Sequence, residues 1–163
     1  MKEPVITDLQ LLTPSRKTPK AGDIFVFRPI TRGYFFGRVV AMDAMITSMK
    51  DCTLLYLFGL ESETKQPPAR LLVDDLLVPP LMTNRLPWSR GYFETVAHRA
   101  FAPGERLPMH CFREPGRTPV RYWDEYNHQL LGKVEPCGIH ALKSYRTIDD
   151  AVSEALDIPL VPD

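Results

Sequence analysis

The sequence predicts an α+β protein, with a bent and partly barrel-like antiparallel sheet of six to eight strands and one C-terminal helix. Three observations favour this class. The 163 residues include 16 prolines against nine glycines, and proline is excluded from helix interiors and central strands, so the chain cannot be mostly helical. Short β-branched and aromatic runs recur along the chain. One segment near the C-terminus has the spacing of an amphipathic helix.

Length and composition indicate a single folded domain preceded by an arm. Apolar residues make up 44% of the chain and charged residues 25%, the balance of a protein that buries a core rather than a disordered one. Residues 1–21 combine proline, serine, threonine and lysine with little periodicity, which predicts an irregular N-terminal arm. The single α+β domain is expected to span residues 22–163.

The first two predicted strands form a hairpin. Residues 23–30 and 34–42 are β-branched and aromatic, and residues 31–33 supply the turn. Both faces of each strand are largely apolar, which favours a curved sheet around a core over a flat sheet with one wet face. Gly37 lies in the middle of the second strand, where it would let the sheet bend or bulge.

The remaining elements follow from the same patterns. Further strands are predicted at 52–60, 71–78, 91–98, 109–113, 120–123 and 128–134. The pair Asp74-Asp75 predicts a bulge or break within its strand, and residues 124–127 predict a turn. The C-terminal helix is expected to be capped by Thr147 and to be stopped by Pro159. Its buried face is expected to carry three residues: Ile148, Val152 and Leu156.

Charge excludes one class of function. The 20 basic and 20 acidic residues sum to zero, so the chain lacks the uniformly basic surface of most nucleic-acid binders. The charges are nevertheless segregated, because residues 2–38 are mainly basic and the chain after Arg146 carries only acids. Such ends can attract one another or a partner. Two separately solvated segments are the favoured interpretation.

The sequence indicates a cytoplasmic protein. The three cysteines are few and odd in number, so they do not form a disulfide framework, which favours a reducing compartment. Residues 1–13 contain acids and have no apolar run of signal-peptide length. The apolar stretch 71–82 is interrupted by aspartates and prolines, so it cannot span a bilayer, and no membrane association is expected.

A metal or catalytic site is not expected. The spacing Cys137-x-x-His140 suits a metal, but neighbouring residues of a strand such as His110 and Cys111 point to opposite faces. The full set of possible donors is His98, His110, Cys111, His128, Cys137 and His140. The chain has no nucleophile elbow, zinc-protease motif, phosphate loop or dinucleotide fingerprint. We therefore predict no catalytic residue, no metal ligand and no cofactor.

Two aromatic and charged clusters are candidates for a protein-binding surface, because tyrosine, tryptophan and arginine are enriched at interface hot spots. The first is Tyr122, Asp124, Glu125 and Tyr126, where Asp124, Glu125 and Tyr126 are expected to be exposed. The second is Trp88 with Arg90. The alternative is that Trp88 and Trp123 simply complete the core.

Several of these segments together resemble the immunity protein 26 family of bacterial polymorphic toxin systems. The runs 21–27 and 33–40 resemble the opening hairpin of that family, and weaker similarity covers 77–80, 88–93 and the Tyr122-x-Asp124 turn. The similarity extends loosely over residues 21–146. The matched glycines and prolines, such as Gly22 and Gly37, are interpreted as structural.

The resemblance implies a small α+β cytoplasmic protein that binds a cognate toxin domain and neutralises it, with no catalytic residues to transfer. The toxin and the oligomeric state stay open. The family label is shared with proteins named as phosphotriesterases, so a small metal-dependent hydrolase is the alternative. Such an enzyme would need a metal cluster, for which the candidates are His98, His110, His128 and His140.

Overall fold

A computed structural model describes residues 6–162 of the chain. Its larger sheet is antiparallel and contains five strands in the order β4-β3-β2-β1-β5. These strands are β1 (Asp23–Phe27), β2 (Tyr34–Ile46), β3 (Met49–Ser62), β4 (Leu81–Thr83) and β5 (Glu94–His98). The sheet does not close into a barrel, because β4 and β5 remain its two edges.

A second, smaller sheet has the order β8-β7-β6-β9. Its strands are β6 (Cys111–Arg113), β7 (Tyr122–Trp123), β8 (Gln129–Leu130) and β9 (Cys137–Ile139). All pairings are antiparallel except that of β6 with β9, which is parallel. The α+β class is confirmed, and the described residues form nine strands in two sheets rather than six to eight strands in one.

Two α-helices and one 3-10 turn complete the architecture of residues 6–162. They are α1 (Leu86–Arg90), α2 (Tyr145–Ala155) and the turn Val73–Asp75. The predicted C-terminal helix is confirmed, but it begins earlier than expected, because Ser144 caps it and accepts a hydrogen bond from the Thr147 amide at 3.2 Å. Among the described residues, no helix has the length and apolar character needed to cross a membrane.

The opening hairpin of β1 and β2 is confirmed, and Gly37 has a clear structural reason. The pairing of β2 with β3 shifts register between Phe35 and Gly37, so the sheet is irregular at this point, as expected. Gly37 pairs with Phe25, and a side chain at position 37 would overlap the Phe25 ring. Glycine therefore makes room for an aromatic ring in the core.

Both faces of the larger sheet are buried, as the apolar pattern of its strands predicted. One face carries Phe25 and packs against the two helices, which contribute Trp88 and Val152. The opposite face carries Tyr56 and packs against the smaller sheet, which contributes Phe112, and against the loops beside it. Separate structures cover the two faces, so the sheet buries them both without curling into a barrel.

The prediction of a strand at residues 71–78 is wrong. The chain instead makes a 3-10 turn at Val73–Asp75, and only Leu76 forms an isolated bridge, with Phe58 of β3. Asp74 and Asp75 are exposed on this turn. β4 pairs with β3 only at residues 53–55, and farther along the same edge the Leu77 amide donates to the Leu57 carbonyl at 2.8 Å. The contact does not extend into a strand, because the 3-10 turn precedes it and the two prolines that follow cannot donate to a ladder.

The N-terminal arm is irregular over residues 6–21, and hydrogen bonds anchor it to α2. Its residues 1–5 lie outside the described part of the chain. The amides of Asp8 and Leu9 donate to the Asp149 carboxylate at 3.1 and 2.7 Å, and the Ser153 hydroxyl donates to Asp8 at 2.6 Å. Burial raises the pKa of Asp149. The interpretation of two solvated ends is therefore wrong for these contacts, because both carboxylates are buried.

Candidate partner-binding surface

The predicted turn at 124–127 is present and is held by its own side chains. Asp124 Oδ1 accepts hydrogen bonds from the amides of Tyr126 and His128 at 2.9 and 2.8 Å. Asn127 adopts a left-handed backbone with φ of 63°, a conformation that asparagine tolerates well. The aspartate therefore fixes the course of the chain between β7 and β8.

Glu125 reaches from this turn into the protein, where it meets a buried histidine and tyrosine. Its Oε2 atom lies 2.6 Å from His110 Nδ1, and His110 Nε2 lies 2.6 Å from the Tyr56 hydroxyl. That hydroxyl accepts from the Leu107 amide at 3.0 Å, so its own hydrogen is free to point to Nε2. The approach of His110 to Glu125 is an ion-pair distance without hydrogen-bond geometry, because Glu125 Oε2 accepts no hydrogen bond among residues 6–162.

Burial raises the pKa of Tyr56 to about 12, so the tyrosine keeps its proton at any physiological pH. Tyr56 belongs to β3 of the larger sheet, and Glu125 belongs to the turn of the smaller one. The row of Tyr56, His110 and Glu125 thus joins the candidate turn to the core. All three side chains therefore help to hold the turn in place, and Tyr56 and His110 are buried.

The tip of the β2–β3 hairpin supports the same turn from the other side. The Met45 amide donates to the Glu125 carbonyl at 2.7 Å, and the Thr47 amide donates to the side chain of Asn127 at 3.2 Å. The turn is therefore tied to two distant parts of the larger sheet. Its shape is set before any partner arrives.

The structure divides the first predicted cluster by exposure. Tyr126 is 40% exposed, whereas the side chains of Asp124 and Glu125 are only 20% and 13% exposed. Tyr122 is half-buried. The expectation that Asp124, Glu125 and Tyr126 are all exposed is thus wrong for the two acids, because their carboxylates are used in holding the turn.

Exposed apolar side chains are frequent in the part of the chain that forms the smaller sheet and includes this turn. Eleven large apolar residues are exposed in the described part of the chain, and five of them lie between residues 109 and 134. These five, which we call the exposed apolar group, are Met109, Val120, Tyr126, Leu131 and Val134. Concentrations of exposed apolar residues of this kind mark interaction surfaces, whereas single ones need no explanation.

A charged network lies beside the exposed apolar group. Glu114 Oε2 accepts hydrogen bonds from Arg121 Nε and Trp123 Nε1, both at 3.0 Å. The hydrogen bond from Arg121 holds the pKa of Glu114 below its usual value. Trp123 also stacks on His140, with ring centroids 5.7 Å apart. The surface therefore combines apolar side chains with fixed charges, as protein interfaces do.

The second predicted cluster is divided in the same way. Trp88 is only 1% exposed and packs edge-on against Phe25 and Phe93, with centroids 5.1 and 5.2 Å away. The alternative that Trp88 completes the core is therefore the one the structure supports, and the tryptophan offers no surface to a partner. Arg90 is exposed and lies 5.8 Å from the ring of Tyr145, so it remains available.

The histidines proposed for a hydrolase are dispersed. His98 contacts Asp23 at 2.8 Å, His110 contacts Glu125, His128 contacts Asp124 at 3.2 Å, and His140 stacks on Trp123. Within residues 6–162, no three side chains of His, Cys, Asp or Glu lie together as metal ligands. The four-histidine cluster of the alternative is therefore not assembled.

A cleft of about 670 Å³ was not anticipated from the sequence. It lies between the N-terminal arm and β5, and its walls include Lys17, Lys20 and the contact pair His98 and Asp23. An irregular arm has no pattern in the sequence that predicts where it packs, so no sequence signal indicated this cleft.

The fold is that of a small α+β protein whose smaller sheet carries a turn held by its own side chains and several exposed apolar residues. The chain belongs to the immunity protein 26 family, whose profile matches residues 20–119, or 100 of the 163 residues. Membership gives the chain an immunity function and, in general, a toxin as partner. No curated protein and no solved structure matches the chain.

Proposed function

We propose that this protein binds a cognate toxin domain of a bacterial polymorphic toxin system in the cytoplasm and neutralises it by covering part of its surface. The protein acts by binding and carries out no reaction of its own. The observation that carries the proposal is the turn at 124–127, held by its own side chains, in a segment of the chain that also carries the exposed apolar group, in a member of the immunity protein 26 family.

Tyr126 is the central contact in this proposal. It is a large, exposed and amphipathic side chain on a turn whose backbone is fixed by Asp124 and Glu125. A preordered contact loses little conformational entropy on binding, which increases affinity without additional contacts. Tyr122 contributes from β7, and Arg90 belongs to a second, peripheral contact. Asp124 and Glu125 act by shaping the turn.

The extent of the family match supports this location. The matched residues 20–119 include the whole larger sheet, whereas Tyr122 and Tyr126 lie beyond them. The matched sheet can serve as a scaffold that carries a separate recognition surface, and such surfaces are found mainly on loops. The β7–β8 turn is a loop of this kind and lies beyond the matched residues.

The experiment begins with the toxin encoded beside this gene. Co-expression of the two proteins should abolish toxicity, and the two should co-purify. Tyr126→Ala should weaken the complex roughly tenfold or more, as expected of a hot-spot tyrosine, while the isolated variant keeps its wild-type thermal unfolding. Ile30→Ala is the matched control, because Ile30 is equally exposed but lies in the β1–β2 turn.

Binding that is unchanged in Tyr126→Ala, with loss in Ile30→Ala, would move the interface to the opening hairpin. Failure of every neighbouring toxin to bind would reject the proposed function itself. Cell fractionation tests the compartment, because a cytoplasmic protein should appear in the soluble cytosolic fraction together with cytosolic markers.

A further inference from the structure

Two cysteines that are 26 positions apart in the sequence meet across the smaller sheet. Cys111 of β6 and Cys137 of β9 are direct register partners in the parallel pair, and their sulfur atoms are 3.0 Å apart. Neighbouring strands lie about 4.8 Å apart, which is within the Cα separation of about 4.4–6.8 Å that a disulfide requires. The backbone positions needed for a covalent bond therefore already exist.

The third cysteine has a different environment. Cys52 is buried in the larger sheet, where its sulfur lies 3.8 Å from the Met49 carbonyl oxygen. Cys111 is also buried, but Cys137 is half-buried and lines an open apolar cleft of about 390 Å³ between β9 and α2. A small reagent can thus reach the pair through Cys137, and Cys52 is an internal control.

We propose that Cys111 and Cys137 form an intramolecular disulfide when the protein meets a small-molecule disulfide oxidant such as oxidised glutathione. The Cys137 sulfur attacks one sulfur of the oxidant, which breaks the oxidant's S–S bond and releases one thiol. The Cys111 sulfur then attacks Cys137 and releases the second thiol. The protein loses two hydrogens and two electrons, and both are gained by the two released thiols.

The surroundings of the pair support a slow and selective reaction. Burial and the neighbouring Cys111 sulfur raise the pKa of Cys137 to about 12, so the thiol is mainly protonated and a long incubation in mildly alkaline buffer is appropriate. The Val134 amide lies 3.4 Å from the Cys111 sulfur and keeps the loop before β9 against the pair. In a reducing compartment the pair remains a dithiol.

The disulfide would enclose the candidate interface, a consequence that rests on the proposed function. The chain between Cys111 and Cys137 contains the 124–127 turn and four members of the exposed apolar group: Val120, Tyr126, Leu131 and Val134. A cross-link restricts the segment that it closes. The oxidised protein would therefore present a more constrained binding surface than the reduced one.

The test counts thiols by alkylation and intact mass after incubation of the folded, full-length protein with oxidised glutathione. We expect two of the three thiols to disappear with no glutathione attached, and a reductant to restore them. Peptide mapping should connect Cys111 to Cys137. Cys52→Ser should behave as wild type, whereas Cys111→Ser and Cys111→Ala should accumulate a glutathione adduct on Cys137.

The inference is overturned if all three thiols survive, if Cys52 enters the bond, or if the product is a dimer linked between chains. A second measurement addresses the interface separately, by comparing toxin affinity for the oxidised and reduced forms. We expect a several-fold tighter complex for the oxidised form. Equal affinity with an intact disulfide would place the toxin contact outside residues 111–137 and leave the disulfide assignment standing.

Discussion

The two sheets of this protein are stabilised by different interactions. In the larger sheet, β2 and β3 are 13 and 14 residues long, and most of their side chains are buried. The four strands of the smaller sheet are two or three residues long, and polar contacts around Glu114, Asp124 and Glu125 hold the loops between them. Apolar burial builds the scaffold, and polar contacts shape a surface whose apolar side chains stay exposed.

The largest expected difference in stability is between the variants Trp88→Ala in the scaffold and Leu131→Ala on the exposed surface. Trp88→Ala should lower the free energy of unfolding by about 4 kcal/mol, because it removes a fully buried aromatic side chain from the scaffold. Leu131→Ala should change it by less than about 0.5 kcal/mol, because Leu131 is fully exposed. Denaturant-induced unfolding measures both values. Similar losses in the two variants would show that Leu131 is packed in solution.

An intermediate effect is expected where the sheets are joined. His110→Ala should cost about 2 kcal/mol, because it leaves the buried Tyr56 hydroxyl and the Glu125 carboxylate without their partner. The same change in a Glu125→Ala background should cost less, since the carboxylate is then absent.

A double-mutant cycle of His110 and Glu125 measures this coupling from the unfolding free energies of four proteins. Contacting residues generally couple by about 0.5–3 kcal/mol. Strictly additive losses would show that the two side chains do not interact, and the turn at 124–127 would then depend on Asp124 and on the β2–β3 hairpin.

The smallest expected effect is a pH dependence caused by His140. Burial lowers the pKa of His140 below its usual 6.5, and its Nε2 atom has no hydrogen-bond partner among residues 6–162. The unfolded chain therefore binds a proton more readily than the folded one. The stabilising contribution is complete above about pH 6.5 and decreases as the pH falls through the lower, folded-state pKa.

Thermal unfolding over a pH series measures this effect, and His140→Phe is the control, because phenylalanine can retain the stacking on Trp123 without titrating. The variant should be destabilised less than the wild type when the pH is lowered. An identical decrease in wild type and variant would assign the effect to other groups.

Much of the larger sheet could be predicted from the sequence, because its signals are local. The hairpin of β1 and β2 was predicted from consecutive β-branched and aromatic residues, and Gly37 was correctly placed at an irregularity. The segment 71–78 carried the same apolar signal and is not a strand. Its pattern indicates burial, but a strand also needs an extended backbone, and the 3-10 turn at Val73–Asp75 leaves only Leu76 and Leu77 in contact with β3.

The candidate site was predicted less completely, because its residues serve several purposes. Aromatic and charged residue types indicated the 122–126 segment, and Tyr126 is exposed there. The same types indicated Trp88, which lies in the core. Residue type alone does not distinguish a contact from a packing residue, and it did not reveal that Glu125 points inward to His110.

The sequence by itself determined the α+β class, the opening hairpin, the C-terminal helix and the resemblance to the immunity protein 26 family. Each of these depends on residues that are close together in the chain. Only the tertiary structure decided that the arm is anchored on Asp149, that Tyr56, His110 and Glu125 join the two sheets, and that Cys111 meets Cys137. These contacts join residues far apart in sequence, and no local pattern encodes which distant side chain will be the neighbour.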